Sequence, residues 1–343
     1  MGTAPALGIP VTCARRDLSR VGNRPISIAL ALVVSLMAIP ASADERYALV
    51  VSGASGGATY AQQYSRLTES FSQVLVDRMK FEADHITVLG EGPDEDKRAT
   101  AANLRRVFAT LRRQMGADDL LIVLLIGHGT FDGVDAKFNL VGPDLESAEW
   151  VTLFRGLPGR IIVVNGAPAS FPFIERLSSP RRIVISATDS VAQRFDTVFP
   201  EYFVNAFRDE GSDIDKNGRI SVWEAFASAS GAVRRHYQQR GQLATERALL
   251  DDNGDGLGRE AAAQGEDGSL ATRTYLDAPA AGAPPTDEVL IDLLQRRASL
   301  EAEAEELQIK KAFMSPDEYT REFERVMVAL ARVARDIRAR TKT

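Results

Sequence analysis

The segment LLIVLLIGHG, residues 120–129, decides how this chain folds. A long apolar run that ends in a glycine-flanked histidine is typical of a strand buried on both faces and followed by a tight turn. In parallel sheets, ligand chemistry lies beyond the carboxyl ends of such strands. The segment therefore predicts an interior strand of a parallel sheet, with His128 at the edge where a site forms.

Strand-like and helical patterns alternate on both sides of this segment from Arg46 onward. Near-continuous apolar strands separated by amphipathic helices predict a mainly parallel sheet with helices on both faces. We therefore expect an α/β domain over residues 44–210. The predicted strands are residues 47–51, 85–89, 120–126, 160–164 and 182–187, and the predicted helices are residues 60–79, 101–115, 150–157 and 171–177.

Two of the predicted strand ends resemble a known family. The tripeptide GHG, residues 127–129, follows one strand, and NGA, residues 165–167, follows the next. Residues 46–230 resemble the caspase-like cysteine peptidases, the group of caspases, metacaspases, legumain and gingipains, in which a His-Gly pair and an Asp-x-Cys-x-Ser-Gly type segment end neighbouring strands. The resemblance implies a caspase-like fold in which His128 and Gly129 correspond to the catalytic histidine and to part of the oxyanion hole.

The second strand end departs from the family pattern, because Asn165 stands where the family has an acid and Ala167 where it has cysteine. An alanine side chain offers neither a nucleophile nor a titratable group. We therefore expect a pseudopeptidase in which His128 and Gly129 are vestigial and the cleft binds a peptide or protein partner. The alternative is a hydrolase in which Ser170 acts with His128. Ser170 is also well placed to cap a helix that starts at residue 171.

The sequence DIDKNGRISVWE, residues 213–224, fits the EF-hand calcium loop throughout. Oxygen ligands fall at positions 1, 3, 5, 7, 9 and 12, a glycine is at position 6, and an alanine-rich helix follows. The alternative is a tight turn rich in Asp and Asn before a helix. The predicted calcium ligands are Asp213, Asp215, Asn217, the Arg219 carbonyl, Ser221 and Glu224.

A second acidic loop, DDNGDG at residues 251–256, repeats the first half of this pattern. It predicts further calcium ligands in Asp251, Asn253 and Asp255. Position 12 is Ala262, so Glu260 is the candidate substitute for the missing glutamate. We expect the two loops to form an extension over residues 211–276, in which they can pair as an EF-hand-like couple.

The amino-terminal residues 1–43 are typical of a signal peptide. Four arginines within the first 24 residues precede an apolar run at residues 26–39 and a small-residue cleavage pattern at residues 41–43. Cleavage after Ala43 predicts a periplasmic or secreted protein with no stable membrane insertion. It also removes Cys13, the single cysteine, which excludes a disulfide framework and a thiolate zinc cluster.

The carboxyl-terminal part of the chain reads as a linker at residues 277–286, rich in Ala, Pro and Gly, followed by helices over residues 287–341. Leu293, Leu300 and Leu307 recur at seven-residue spacing, which is typical of a helical hairpin or of a coiled coil. These helices can therefore hold together a homo-oligomer or serve as an adaptor. The formal net charge of −6 disfavours nucleic acid as a partner.

Overall fold

The computed structural model of this chain describes residues 44–263, 265–278, 288–311 and 314–341. The predicted signal peptide and residues 279–286 of the predicted linker lie outside these ranges. None of the described helices has both the length and the apolar character needed to cross a bilayer.

The predicted α/β architecture is confirmed by a six-stranded sheet in the order β2-β1-β3-β7-β8-β9. The first five of these strands are parallel, and β9 pairs antiparallel with β8 at the edge. The apolar run LLIVLLI, residues 120–126, is the interior strand β3. The six strands are β1 (Arg46–Ser52), β2 (Ile86–Leu89), β3 (Leu120–Ile126), β7 (Arg160–Asn165), β8 (Arg182–Ser186) and β9 (Leu249–Asp251).

Helices cover both faces of the sheet, because successive strand residues point to opposite sides. Ile122 and Leu124 of β3 face one hydrophobic core, and Leu121 and Val123 face the other. The first core is closed by α1 (Ala58–Gln73), α5 (Phe199–Ala206) and α6 (Val222–Gln239), and the second by α2 (Ala101–Gln114), α3 (Ser147–Phe154) and α4 (Pro172–Leu177).

A second, three-stranded antiparallel sheet follows β3 directly and was not predicted. Its strands are β4 (Gly129–Phe131), β5 (Ala136–Phe138) and β6 (Leu145–Glu146). Phe138 from this sheet is fully buried in the second core. The small sheet therefore fixes the chain immediately after His128.

The predicted extension shares a core with the sheet. Helix α5, which was not predicted, leads into the first acidic loop, and α6 follows the loop as the sequence pattern predicts. Phe199 of α5 and Phe226 of α6 pack with their ring centroids 6.3 Å apart, in the same core as the strands. A short helix, α7 (Ser269–Thr272), completes this part of the chain.

Arg46, the first residue of β1, ties this strand to the end of the extension. Its guanidinium donates to the carbonyls of Met79 at 2.5 Å, Lys80 at 2.7 Å and Leu276 at 2.7 Å. Leu276 is itself buried in the first core. The beginning and the end of the 44–276 region therefore meet at one guanidinium.

The carboxyl-terminal helices form a hairpin. Helix α8 (Glu288–Lys310) packs beside α9 (Pro316–Thr341), and Arg325 bonds across to Glu303 at the surface. Val326, Val333 and Ile337 of α9 are buried. The predicted Leu293, Leu300 and Leu307 are partly buried along α8.

Candidate functional site

The ends of β3 and β7 lie side by side, as the sequence predicts for His128 and Ala167. A Cβ atom on Gly129 would lie 2.3 Å from the Pro168 carbonyl oxygen and 3.1 Å from the Ala167 Cβ. Only glycine fits at this position, because the neighbouring obstacle is backbone. The chain after β7 therefore passes directly against the backbone that follows His128.

Both ring nitrogens of His128 have partners. Nε2 lies 3.1 Å from the Ser55 carbonyl oxygen, and Nδ1 lies 3.3 Å from Oδ1 of Asp196. Both partners are acceptors, so each can accept only from a ring nitrogen that carries a proton. The ring is thus held between the loop after β1 and Asp196.

Asp196 joins His128 to helix α1. The Tyr60 hydroxyl donates to the second carboxylate oxygen of Asp196, and the edge of the His128 ring packs against the Tyr60 ring at a centroid distance of 4.7 Å. This hydrogen bond, together with the negative charge of Asp196, raises the pKa of Tyr60 above its usual value. Neither Tyr60 nor Asp196 was predicted as a partner of His128, since no local spacing links positions 60, 128 and 196.

Ala167, which the sequence resemblance aligns with the family's cysteine, is buried. Ala167 is 1% exposed, and its N–H donates to the Asn165 side chain at 3.1 Å. Ala169 has a left-handed backbone with φ of 51°, and its N–H donates to the Gln193 carbonyl at 2.9 Å. The loop after β8 thus covers the loop after β7.

Ser170 has a structural environment that differs from both roles considered above. Helix α4 begins at Pro172 without a side-chain cap, so the predicted capping role is wrong. The Ser170 hydroxyl instead accepts from the backbone N–H groups of Ala187 at 3.1 Å and Thr188 at 3.3 Å. It also lies 3.2 Å from the Thr188 hydroxyl, and the residue is 1% exposed. Its lone pairs therefore hold the ends of β7 and β8 together.

Two other loop aspartates near the strand ends, Asp132 and Asp189, make contacts elsewhere. Asp132 accepts from the N–H groups of Val134 and Asp135, both at 3.0 Å, and these bonds with Lys137 lower its pKa. Asp189 pairs with Arg247 at 3.6 Å. The carboxylate that meets His128 is Asp196.

In the first acidic loop, carboxylates converge. Oxygen atoms of Asp213, Asp215 and Glu224 lie within 4.8 Å of one another. Asp213 also accepts from the N–H groups of Asn217 at 3.0 Å and Gly218 at 2.9 Å, which curls the loop around its first residue. The donor set consists of oxygen atoms, which suits a hard cation such as calcium.

Glu224 links the loop to helix α6. The Ser221 hydroxyl accepts from the Glu224 N–H at 3.2 Å, while the Glu224 carboxylate accepts from the Ser221 N–H at 2.9 Å, which makes a capping box. The other carboxylate oxygen accepts from the Ile214 N–H at 2.8 Å. The first and last parts of the loop are therefore held together through one buried side chain.

In the second acidic loop, the first residue is buried in the sheet edge. Asp251 ends β9, is 0% exposed and accepts from Gly254 at 3.0 Å and Gly256 at 2.6 Å. Asp267 lies beside it and accepts from the Asp252 N–H at 3.0 Å. Burial, with the added charge of Asp251, Asp252 and Asp255, raises the pKa of Asp267 to about 7.

Among the described residues, the two loops form no β-bridge with each other, contrary to the predicted couple. Ser221 of the first loop forms its antiparallel bridge with Tyr275, whereas Leu250 beside the second loop bridges to Arg259. The first loop is further tied to this segment because Arg219 stacks on the Tyr275 ring at 3.9 Å and bonds to Asp277 at 2.8 Å. Each loop is thus bridged to a different segment of the chain.

Comparison with known proteins supports only a distant likeness. No known protein-family profile and no curated protein matches this chain. Among solved structures, protein GSU0716 from Geobacter sulfurreducens is 13% identical with a TM-score of 0.42, over 60% of this chain and 92% of that one. The Drosophila initiator caspase Dronc is 13% identical with a TM-score of 0.43, over 63% of this chain and 82% of that one. Scores this low carry no argument about activity.

Proposed function

We propose that this protein is an exported, non-catalytic relative of the caspase-like peptidases that binds a peptide or protein partner at the carboxyl end of its parallel sheet. The observation that carries the proposal is the pair of strand ends. Ala167, which the sequence resemblance aligns with the family's cysteine, is 1% exposed, and both nitrogens of His128 lie beside acceptors. Acyl transfer needs an attacking atom, and an alanine side chain supplies none.

The geometry of Ser170 favours binding over hydrolysis. A serine nucleophile needs its hydroxyl within hydrogen-bond reach of the histidine. The Ser170 hydroxyl is instead held by Ala187, Thr188 and the Thr188 side chain, in a buried position. Turnover through Ser170 would require these bonds to break.

An exposed aromatic ring beside the strand ends supports a partner-binding role. Phe195 is 71% exposed and directly precedes Asp196, the partner of His128. Large exposed aromatic side chains next to a polar cleft are typical anchors of protein interfaces. The proposed contact surface is therefore Phe195, Tyr60 and the His128 edge.

Calcium at the first acidic loop is part of the same proposal. Asp213, Asp215, Asn217, Ser221 and Glu224 would supply side-chain oxygens, and Arg219 would supply its carbonyl. The convergence of three carboxylates within 4.8 Å supports this assignment, since calcium takes six to eight oxygen ligands. Calcium binding by the second loop, through Asp251, Asn253 and Asp255, remains a separate prediction.

Export and self-association complete the proposal. Residues 1–43 would be removed on export, and the helical hairpin would mediate any homo-oligomer through side chains such as Met327 and Val328, which are 45% and 44% exposed. Amino-terminal sequencing of the periplasmic and medium fractions tests the cleavage. Light scattering of chains with and without residues 286–343 tests the association, and an unchanged mass would contradict it.

The decisive experiment measures binding and cleavage together. The chain from residue 44 onward is panned against a phage-displayed random peptide library and incubated with a soluble peptide library that is read by mass spectrometry. We expect enrichment of bound peptides, loss of that enrichment in Phe195→Ser, and no cleavage products. Cleavage that disappears in both His128→Ala and Ser170→Ala would establish the hydrolase instead.

A further inference from the structure

A groove of about 600 Å³ lies between helix α1 and the edge strand β2, next to the strand-end site. Its walls include the Tyr64 ring, Ala61 and Val88, and its polar groups come from both elements. This volume and mixed lining suit one extended side chain with an apolar stem and a polar end.

The charged residues that line the groove are acidic. Glu69 and Glu91 line it, and its lining contains no lysine, arginine or histidine among the described residues. One oxygen of Glu91 accepts from the Ser55 N–H at 3.1 Å and the Ser55 hydroxyl at 2.5 Å, whereas its Oε1 accepts no hydrogen bond from the described residues. The groove therefore presents carboxylate oxygens with free acceptor capacity to an entering ligand.

A hydroxyl group in the wall of the groove also lacks a partner. Thr68 lines the groove and is 8% exposed, and its Oγ1 has no hydrogen-bond partner among the described residues. Leaving a buried hydroxyl unpaired costs free energy, roughly 1–3 kcal/mol. The oxygen is enclosed by the protein, so this cost belongs to the folded chain itself.

Ser55 connects the groove to the strand-end site. Its side chain holds Glu91 on the groove side, and its carbonyl accepts from His128 on the other. The Tyr64 ring also lies between them, with its centroid 5.7 Å from that of His128. A peptide seated at the strand ends thus has a direct route by which one side chain reaches the groove.

We propose that this groove binds the cationic side chain of a lysine or arginine carried by the peptide partner. The inference rests on the proposed function, because it names the side chain that the partner presents. Both ligand groups have apolar methylene stems that match Ala61, Val88 and Tyr64, and cationic donors that match Glu69 and Glu91.

The test uses the peptides selected by phage display on the chain from residue 44 onward. Each selected peptide is resynthesised with its lysine or arginine replaced by norleucine, which keeps the stem and removes the charge. Affinities are measured by isothermal titration calorimetry on the wild type, on a Glu69→Gln/Glu91→Gln double variant and on a Thr68→Val variant. A Glu318→Gln/Glu324→Gln double variant is the matched control, because it removes the same charge from exposed positions of α9.

We expect selected peptides to be enriched in lysine or arginine, and the groove double variant to bind them about tenfold more weakly. The α9 control should stay within about twofold, and norleucine peptides should not distinguish wild type from the groove variant. Thr68→Val should raise the melting temperature and leave peptide binding within about twofold, since it removes an unpaired hydroxyl that is enclosed by the protein. A variant that merely unfolds would lower both.

Other outcomes separate this inference from the proposed function. Peptides that bind without basic residues, equally well to the groove variant, would overturn the cationic groove while peptide binding stands. Two free probes, n-butylammonium and n-butylguanidinium, test the groove without a peptide. If a probe binds the wild type but not the groove variant, and no peptide binds, the groove binds cations but its ligand is not a peptide side chain. Binding of neither probe nor peptide would overturn both.

Discussion

The two acidic loops share the first half of the calcium-loop pattern and have different environments. In the first loop, residues 213–218, the aspartates lie at the surface and converge with Glu224. In the second, residues 251–256, Asp251 is the last residue of a sheet strand and is 0% exposed. The difference teaches that the short motif specifies the turn, because both first aspartates accept from the glycine at position 6. The surroundings then determine whether the carboxylates are available to a cation.

The largest expected effect comes from removing the first aspartate of each loop. Asp251→Ala leaves the N–H groups of Gly254 and Gly256 without an acceptor at a buried position, so we expect a loss of about 3 kcal/mol in the free energy of unfolding. Asp213→Ala also frees two N–H groups, but water reaches them, so the loss should be about 1 kcal/mol or less. Urea unfolding in the presence of a chelator measures both free energies. Equal losses would contradict the expected difference between the two loops.

Calcium should stabilise the protein through the first loop. A cation that binds only the folded chain adds about 2.7 kcal/mol at a hundredfold excess over its dissociation constant. Asp215→Asn should abolish the calcium-dependent rise in melting temperature, whereas Glu210→Gln, an exposed neighbour, should keep it. If Asp255→Asn abolishes the rise and Asp215→Asn does not, the cation belongs to the second loop.

The second loop should give the protein a pH-dependent stability. The pKa of Asp267 is about 7 in the folded chain and near 4 when unfolded, so the folded state holds this proton more tightly. The resulting stabilisation is complete below about pH 4 and is lost as the pH rises through 7. We expect a decrease on the order of 2 kcal/mol from pH 5 to pH 8, measured by urea unfolding in a chelator.

Glu246, whose pKa burial also raises to about 7, contributes a decrease of the same sign. Asp267→Asn should therefore flatten only part of the pH profile. A profile identical to that of the wild type would show that the cluster around Asp267 does not titrate in this range.

The smallest effect concerns the support of the first loop. The Asn217 amide donates to the Tyr275 hydroxyl at 3.1 Å, and Tyr275→Phe removes this bond while keeping the ring under Arg219. We expect calcium affinity to fall roughly twofold to fivefold, as a single exposed hydrogen bond implies. Titration calorimetry measures it, and Tyr237→Phe, away from the loop, serves as the control.

The parallel sheet was predictable because each strand is an unbroken apolar run. Residues 120–126 match β3 residue for residue, and the bounds predicted for the other four parallel strands are within one residue at each end. Strand β9 was missed because three residues give no periodicity. Its place in the sheet comes from pairing with β8, which no local pattern encodes.

The candidate site was predictable only in its strand ends. GHG marked His128 because the histidine directly follows the apolar run. Asp196 and Tyr60 were not found, because they reach His128 from separate elements across the fold. Ser170 was assigned a cap from its place before Pro172, but the hydroxyl is used by the loop after β8. Side-chain hydrogen bonds between distant loops depend on tertiary packing, so they produce no periodic pattern in the sequence.

The contacts of Arg46 have a consequence for the connectivity of the chain. Its guanidinium bonds to the carbonyl of Leu276, so the two ends of the 44–276 region are neighbours in space. A circular permutant that joins these ends through a short glycine-serine linker and opens new termini at the exposed Val134 hairpin tip should keep the sheet order unchanged. The fold would then not depend on the order in which its segments are synthesised.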